Sequence, residues 1–321
     1  MQKNLSICIP TFNRSGYLRT LLSNIRSQLH AYELFDRVEV LVSDNCSADD
    51  TADVAREFAD IIVYRRNETN IGPDANFLQL FEMATGSYIW LPGDDDELGA
   101  DTLRYILRMI DIKAPDYLYL KTAGPAIADP DRGAVRVSNV ELLEKVNIFT
   151  TFMTSQVIRA SLVKAEIADA RKYLGGFMAY YKIFLQALWN SRVCLISEGK
   201  EVYANDDNTG GYSFYKVWSV SVFDVLTSSS FAGNARIVSL MKMRMFLTLL
   251  LPITFKLRTG VKGFHFSSER PEVSMAKYFG SSFFRSIFAV YTKGPLWLLR
   301  PLNWAMRLLS SFVKRLEGSV V

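Results

Sequence analysis

The chain has 321 residues and is 49% hydrophobic, so it can bury a large core in one big domain or in one domain with an extension. Its three scattered cysteines and two histidines argue against a disulfide framework, a thiolate or histidine-rich zinc site, and a Ser-His triad. Residues 232–321 carry 14 Lys and Arg against 3 Asp and Glu, a net charge of +11, and the remainder carries 23 against 30, a net charge of −7. This asymmetry predicts cation chemistry in the acidic N-terminal part and contact with an anionic surface in the basic C-terminal part.

The first 120 residues alternate between short strand-like runs and helical patterns. Strands are predicted at Leu5–Pro10, Val38–Asp44, Ile61–Arg66 and Ser87–Pro92. Helices are predicted at Ser15–Leu29, from Ser47 onward and from Pro73 onward. Ser47 is followed by acidic residues, which is typical of a helix N-terminus. This alternation predicts an α/β fold with a mostly parallel central sheet and helices on both faces. The first apolar run is too short for a signal peptide, so we expect a cytosolic protein.

The second half of the chain becomes more helical. Further strands are predicted at Asp116–Lys121, Ala134–Ser138 and Val193–Ser197, and a helix at Met178–Asn190. After residue 231, aromatic residues and leucines alternate with basic residues, and the longest uncharged apolar run, Met245–Phe255, is shorter than the ~20 residues of a membrane-spanning helix. We therefore predict two domains, 1–231 and a helical extension 232–321. The extension has the composition of interfacial membrane helices, but a helical cap or an oligomer interface fits the same pattern.

Polar clusters follow each of the first four predicted strands. They are Pro10–Arg14, Asp44–Asn45, Arg66–Asn76 and the aspartate triplet Asp94–Asp96. Any one of them is ordinary turn chemistry, because Asp, Asn and Gly are common at strand ends. Ligands of open α/β sheets, however, lie outside the carboxyl ends of the strands. Four clusters at that edge therefore predict one shared site.

The residues of these clusters resemble a known family. "SICIPTFNRSGYL", "VEVLVSDNCSADDT", "NETNIGPDANF" and "SYIWLPGDDDEL" are similar, in this order, to family 2 glycosyltransferases of the GT-A fold over about the first 110 residues. The later "NDDNTGGYSFYKVW" is similar to an abequosyltransferase-like subgroup of O-antigen assembly. The resemblance implies an enzyme that moves a sugar from a nucleotide-diphosphate sugar to a glycan or lipid-linked acceptor in surface polysaccharide synthesis.

The resemblance also implies roles for individual residues. Asp94 and Asp96 stand where the family's DxD aspartates contact a metal ion and the donor, with Asp95 between them, and which two of the three ligate stays open. Mg²⁺ or Mn²⁺ is the expected ion, because these cations take carboxylate and phosphate oxygens. Asp44 corresponds to the carboxylate that reads the nucleobase, although it could also cap a helix. The other expected donor-binding residues are Pro10, Thr11, Asn13, Arg14, Asn45, Arg66, Asn70, Gly72 and Asn76, some of which could be ordinary turn or surface residues.

The catalytic base is where the sequence departs from the family. Inverting members carry an acidic residue after a Gly-Phe segment, whereas "GGFMAYYKIF" here has no carboxylate. Asp206 and Asp207, or Glu198, are the replacement candidates, since a base must reach the acceptor hydroxyl. A loop turn at Asp206 and Asp207 and a retaining reaction that needs no such base are the alternatives.

Two other functions are compatible with parts of the sequence. "GDD" is also a polymerase metal motif, but that motif lies in a tight hairpin, whereas a helical pattern follows the triplet here. A noncatalytic nucleotide-sugar-binding scaffold at the membrane would keep Asp44 and lack a base. We expect a protein peripheral to the inner face of the cell membrane, without a nucleic-acid partner, and an oligomer fits the sequence equally well.

Overall fold

We analysed a computed structural model of the chain, which describes residues 3–122, 129, 131–203, 212–260 and 270–316. The chain separates into two compact units. The first unit comprises residues 1–142 and 150–205, and the second comprises residues 143–149 and 206–319. The predicted domain boundary between residues 231 and 232 stays a prediction.

The described part of the first unit contains the strands. They are β1 (Leu5–Thr11), β2 (Val38–Asp44), β3 (Ile62–Arg66), β4 (Tyr88–Trp90), β5 (Glu97–Leu98), β6 (Tyr117–Lys121), β7 (Ala134–Val137), β8 (Gln156–Arg159), β9 (Cys194–Lys200) and β10 (Val202–Tyr203). Eight of them form one sheet in the order β3-β2-β1-β4-β8-β6-β9-β7, and β5 pairs with β10 in a small second sheet.

The central sheet is mostly parallel, as predicted. β1 pairs in parallel with both β2 and β4, β2 with β3, and β6 with β9. β8 runs antiparallel between β4 and β6, and β7 lies antiparallel to β9 at the edge. The first four strands therefore point their carboxyl ends toward the same edge of the sheet, where the polar clusters follow them.

Helices cover the two faces of this sheet. They are α1 (Ser15–Ala31), α2 (Thr51–Glu57), α3 (Pro73–Met83), α4 (Thr102–Lys113), α6 (Ala160–Ala170) and α7 (Ala179–Asn190). A further helix, α5 (Asn139–Val146), has residues in both units. All seven residues of β1 are buried, which requires cover on both faces. Ile7 and Ile9 belong to the same buried cluster as Leu18 and Leu22 of α1, while Cys8, which alternates with them, contacts the Leu80 carbonyl of α3.

The predicted helix start at Ser47 is wrong, because α2 begins at Thr51. The Ser47 N–H donates to the carboxylate of Asp44 at 2.8 Å, and its hydroxyl oxygen accepts the N–H of Asn13 at 2.8 Å. Ser47 therefore joins the ends of β1 and β2 rather than capping a helix. At the actual start of α2, Asp49 accepts the N–H of Thr51.

The second unit is helical where it is described, as expected for the extension. Its helices are α8 (Phe214–Lys216), α9 (Val222–Ser228), α10 (Ala235–Arg244), α11 (Leu251–Arg258), α12 (Pro271–Phe279), α13 (Ser282–Lys293) and α14 (Leu296–Leu316). Turns of π-helix, Val217–Ser221 and Met245–Leu250, connect α8 to α9 and α10 to α11. The aromatic rings of Phe246, Phe279 and Phe284 pack against one another in its interior.

One continuous helix of this unit, Ala235–Arg258, is long and apolar enough to cross a membrane by length and composition. The sequence expectation counted only uncharged residues and therefore stopped at eleven. Half of the most apolar window of this helix is buried inside the protein, a pattern that core helices also show. Length and composition therefore do not distinguish a membrane span from a packed helix here.

Candidate active site

The four polar clusters lie next to one another along the carboxyl edge of β3, β2, β1 and β4. Hydrogen bonds join each cluster to the cluster of the neighbouring strand. The array begins at the aspartate triplet after β4, passes through the end of β1 to the end of β2, and continues to the loop after β3. The sequence prediction of one shared site agrees with this arrangement, while the functional roles of its residues stay predictions.

Arg14 and Thr11 hold the first two aspartates of the triplet. The Thr11 hydroxyl donates to Asp94 Oδ2 at 2.7 Å. Arg14 Nη1 lies 3.0 Å from Asp94 Oδ1 and 2.8 Å from Asp95 Oδ2, so one guanidinium bridges two carboxylates. Arg14 is therefore not a free surface residue. Its guanidinium is the counter-charge of the triplet rather than a contact for the nucleobase alone.

The environment of Asp94 disfavours its negative charge. Burial raises the pKa of the Asp94 carboxyl from 3.8 to about 6, although Arg14 and the Thr11 hydroxyl act to lower it, and the Asp95 charge raises it further. The cost of burying this carboxylate is therefore larger than the compensation that Arg14 and Thr11 supply. Additional positive charge would therefore be stabilised there.

Asp96 is held from the opposite side by a residue that the sequence did not indicate. The Thr154 hydroxyl donates to Asp96 and accepts the N–H of Gly93, while the Thr154 carbonyl accepts the indole N–H of Trp90. Thr154 lies two residues before β8, a four-residue strand that no pattern predicted. Gly93 is needed here, because a Cβ at this position would lie 2.7 Å from Asp96 Oδ2.

Asp44 is fully buried at the end of β2 and accepts hydrogen bonds with both carboxylate oxygens. Ser47 N–H donates to Oδ1 at 2.8 Å, and the Tyr64 hydroxyl donates to Oδ2 at 2.7 Å. Arg66 lies over it, with Nε 3.7 Å from Oδ2 and Nη2 donating to the Ser47 carbonyl at 2.8 Å. Burial and the contact with Asp44 raise the pKa of the Tyr64 hydroxyl. Arg66 therefore lies beside Asp44 in the described arrangement.

Asparagine amides connect the end of β2 to the loop after β3. Asn45 Nδ2 donates to Asn70 Oδ1 at 2.8 Å, and Asn45 Oδ1 accepts the N–H of Ile71 at 2.9 Å. Asn76, which is buried, accepts the Ser43 hydroxyl at 2.6 Å and donates to the Ser43 carbonyl at 3.0 Å. Asn70 and Asn45 thus shape the loop, and Asn76 fixes the start of α3 to β2.

Three further predicted residues shape the backbone of the site. Asn13 has a positive φ of 54°, and its side chain accepts the N–H of Ala48 at 2.7 Å. Gly72 precedes α3 with φ 81° and ψ 159°, a conformation that favours glycine. Pro10 is buried in β1, in register with Ser43 of β2. These residues set loop geometry, with no charged group of their own.

The structure describes only Glu198 among the three candidates for the catalytic base. Asp206 and Asp207 lie outside the described residues. Glu198 accepts the N–H of Gly133 at 3.0 Å. The turn before α7, where the family resemblance implies an acidic residue, contacts a carboxylate from another helix, because Asp74 of α3 accepts the N–H groups of Phe177 and Ala179 at 2.8 and 3.0 Å.

Asp74 is almost fully buried against this turn. Burial raises the pKa of its carboxyl, while the backbone N–H donors of the turn act to lower it. Phe177 has a positive φ of 63°, which Asp74 helps to hold through its bond to the Phe177 N–H. An acidic residue in the first turn of α3 was visible in the sequence, but its contact over a separation of about 100 residues was not.

In the part of the chain that the structure describes, no group of three or more His, Cys, Asp or Glu side chains is arranged to hold a metal ion. In the triplet, one oxygen each of Asp94 and Asp95 faces Arg14, and one oxygen of Asp96 faces Thr154. Mg²⁺ commonly binds proteins through one or two carboxylates and takes its other ligands from substrate phosphates and water. The chemistry of the donor set therefore fits a cation that arrives with a diphosphate, rather than one held in an all-protein cage.

Comparison with known proteins identifies the family of the segment that carries this site. Residues 6–145 match the model of "Glycosyl transferase family 2". The chain is 43% identical over 119 residues to abequosyltransferase RfbV of Salmonella typhimurium, covering 36% of this chain and 34% of the relative. It is 32% identical over 108 residues to a Campylobacter jejuni GalNAc(5)-diNAcBac-PP-undecaprenol beta-1,3-glucosyltransferase, covering 32% and 33%. The alignments thus span about a third of the length of these curated relatives.

The fold is similar over nearly the whole chain to that of a solved structure, Staphylococcus aureus TarS 1–349. The TM-score is 0.62 with 19% sequence identity, and the comparison covers 98% of this chain and 90% of the other. This likeness supports the GT-A type of sheet and helix arrangement predicted from the sequence. The family match contains β1 to β4, the aspartate triplet and the whole hydrogen-bonded array up to α3. Residues 6–145 therefore resemble a family 2 glycosyltransferase domain.

Proposed function

We propose that the protein is a glycosyltransferase that moves a sugar from a nucleotide-diphosphate sugar to a glycan or lipid-linked acceptor in surface polysaccharide synthesis. The observation that carries the proposal is the bridge from Arg14 to Asp94 and Asp95 at the edge where the clusters of β1, β2 and β3 also meet. Turn chemistry alone does not require a buried carboxylate with a raised pKa in such an array. The similarity to RfbV over 119 residues supports the same reaction class.

The end of β2 would hold the nucleoside of the donor. Asp44 has two oxygens that already accept hydrogen bonds from Ser47 and Tyr64, and a uracil N3–H or a cytosine amino group could replace one donor. Arg66 would then leave Asp44 and face the phosphates. The TarS structure that was solved in complex with UDP-GlcNAc has the same overall fold, with a TM-score of 0.61. It supports the donor class and leaves the sugar and the base of this protein open.

The triplet would bind Mg²⁺ or Mn²⁺ together with the donor diphosphate, through Asp94 and Asp96. When bound, the ion would act as a Lewis acid and offset the charge of the leaving diphosphate. The residues of the chain fit this role because a single guanidinium, that of Arg14, is shared between the two neighbouring carboxylates of Asp94 and Asp95. Thr154 would keep the Asp96 carboxylate oriented, and Arg14 would remain available to the phosphates.

A carboxylate would take the proton from the acceptor hydroxyl as the new glycosidic bond forms. Asp206 and Asp207 remain our candidates for this base. The turn before α7 supports this assignment, because it contains no carboxylate of its own and two of its N–H groups donate to Asp74. A base needs a free lone pair within reach of the hydroxyl.

We also propose that residues 1–231 are the transferase domain and that residues 232–321 attach it to the inner face of the cell membrane. The net charge of +11 supports attraction to anionic lipids. The Campylobacter relative acts, by its name, on an undecaprenol-linked acceptor, and an acceptor of that kind would lie in the membrane. Truncation after residue 231 tests this proposal, since the shortened protein should no longer sediment with anionic liposomes.

Donor binding and turnover can be measured without knowledge of the acceptor. A panel of UDP-, CDP- and GDP-sugars with Mn²⁺ should include one donor that raises the melting temperature, because a ligand at 100 times its Kd stabilises the native state by about 2.7 kcal/mol. The same donor should be hydrolysed slowly to free nucleotide. Asp96→Ala should abolish this hydrolysis, whereas Asp53→Ala, an exposed carboxylate paired only with Arg56 across one helical turn, should not.

The possible outcomes separate the candidate functions. Stabilisation by a donor without any nucleotide release, with acceptor extracts also present, indicates a noncatalytic nucleotide-sugar-binding protein. Equal release by the wild type and Asp96→Ala contradicts the role of the triplet. Absence of both stabilisation and release across the whole panel contradicts the proposed reaction.

A further inference from the structure

The last described helix, α14, has one buried face and, opposite to it, an exposed apolar face. Leu299 and Asn303 are buried within the second unit, and the residues on that side pack against α11 and the π-helical turn before it. On the other side, Trp297 and Trp304 are 76% and 65% exposed, and Leu308 is 52% exposed. Packing within the second unit explains the first face and leaves the second without a role.

The exposed residues form one stripe along the helix. Trp297, Pro301, Trp304 and Leu308 follow one another at intervals of four, three and four residues, the spacing of a single helical face. We call these four residues the outer stripe. Trp297 is the most exposed of the large apolar side chains that the structure describes. Scattered single apolar residues are normal on protein surfaces, but a continuous stripe with two exposed tryptophans indicates an interaction surface.

Charge defines what kind of surface the outer stripe fits. Arg300 and Arg307 are exposed, and their spacing of seven residues places both on one flank of the stripe. Residues 273–316 contain seven Lys and Arg and no Asp or Glu. A stripe of tryptophan and leucine flanked by arginine is typical of helices that lie in the interface of an anionic bilayer.

The backbone of α14 favours a position in the interface over one in the hydrocarbon core. Pro301 lies inside the helix and has no N–H, so the Trp297 carbonyl lacks its usual donor four residues later. A carbonyl without a donor is costly in the hydrocarbon core, where no water is present. In the headgroup region water can hydrogen-bond to it.

We propose that the outer stripe of α14 is the surface by which the protein inserts into an anionic membrane leaflet. This inference rests on the proposed membrane attachment and assigns it to one face of one helix. Trp297, Trp304 and Leu308 enter the boundary between headgroups and acyl chains, and Arg300 and Arg307 bind lipid phosphates. The second unit keeps its own packing, because the buried face of α14 is not used.

The test uses the full-length protein and vesicles with or without phosphatidylglycerol. Trp297→Ser/Trp304→Ser should weaken partitioning into anionic vesicles at least tenfold. Arg300→Gln/Arg307→Gln should weaken it about 30-fold, because each basic residue contributes ~1 kcal/mol at such a surface, or about fivefold. The matched control is Trp189→Ser, which removes an exposed tryptophan from the first unit and should leave partitioning unchanged.

Two further measurements complete the test. Phospholipids brominated on their acyl chains should quench the fluorescence of the wild type and not that of Trp297→Ser/Trp304→Ser. Donor hydrolysis and melting temperature should be the same in all variants, which shows that the fold and the active site are intact.

Each contrary outcome has a distinct meaning. Wild-type partitioning of the double-tryptophan variant overturns the role of the outer stripe, even if truncation after residue 231 still abolishes binding. The wild type could instead dimerise in analytical ultracentrifugation without binding vesicles, and the double-tryptophan variant could lose this dimerisation. That result assigns the outer stripe to a second copy of the chain and overturns the proposal. If the wild type binds vesicles but does not hydrolyse any donor, the result contradicts the proposed reaction and leaves the role of the outer stripe intact.

Discussion

Replacing Asp94 with Asn should stabilise the metal-free protein at neutral pH while it disables the site. Asp94 is only 4% exposed, and burial raises the pKa of its carboxyl to about 6 even though Arg14 is in contact with it. Asn has almost the same size, and its amide can still form a hydrogen bond with the Thr11 hydroxyl. Arg14 keeps Asp95 as its partner. The substitution therefore removes an unfavourable charge and leaves few polar atoms unsatisfied.

The pKa gives the magnitude and the pH window. The difference between about 6 and the ordinary 3.8 corresponds to about 3 kcal/mol, since one pKa unit is 1.36 kcal/mol. Between these values the folded state binds a proton that the unfolded state does not. The unfavourable contribution of Asp94 is therefore absent below pH ~4 and complete above pH ~6. We expect Asp94→Asn to exceed the wild type in free energy of unfolding by about 3 kcal/mol at pH 7.5 and by about 1 kcal/mol at pH 4.5.

Urea denaturation in EDTA at the two pH values measures this difference. Both proteins should have the same dependence of free energy on urea concentration, so that midpoints can be compared directly. Asp53→Asn, at an exposed position, is the control for the effect of the substitution itself. A difference that is equal at both pH values, or a variant that is less stable than the wild type at pH 7.5, refutes the conclusion that the site strains Asp94.

Three further substitutions separate the site from the scaffold. Gly93→Ala should lower nucleotide release at least tenfold with little change in stability, because its Cβ would displace the movable carboxylate of Asp96. Gly86→Ala should do the reverse and lower the free energy of unfolding by about 1–3 kcal/mol, since its Cβ would lie 2.8–2.9 Å from backbone atoms of β1. Arg132→Met should lower the free energy of unfolding by about 3–5 kcal/mol, because the fully buried Glu201 would lose its partner. Adding Glu201→Gln should restore most of the loss. An Arg132→Met variant as stable as the wild type contradicts this prediction.

The first four strands could be predicted because each is an apolar run that ends in a polar turn. The fifth member of the central sheet could not be predicted. β8 consists of Gln156–Arg159, and four residues with a polar residue at each end do not show an alternating pattern long enough to recognise. Its antiparallel position between β4 and β6 depends on pairing with strands that lie about 40 to 70 residues away. Tertiary contacts thus determine the conformation of residues 156–159, which the local sequence does not specify.

The candidate site shows the same division. The residue types and their order were visible, because strand ends are local features. Their partners were not, since Arg14 contacts Asp94 across 80 residues and Thr154 contacts Asp96 across 58. Ser47 illustrates the cause of a wrong prediction. The hydrogen-bonding ability that makes serine a good helix cap also suits a loop, and sequence alone does not say which N–H group lies within reach.

The aspartate triplet poses a physical question, because neighbouring carboxylates gain nothing from burial without a counter-charge. The structure answers it in part. Arg14 offsets one of the three charges of Asp94, Asp95 and Asp96, and Thr154 supplies a neutral hydrogen bond to the third carboxylate. The raised pKa of Asp94 shows that this is not sufficient. Under the proposed function, a donor that enters with a divalent cation supplies further positive charge, so relief of the repulsion within the triplet contributes to the binding free energy of the donor complex.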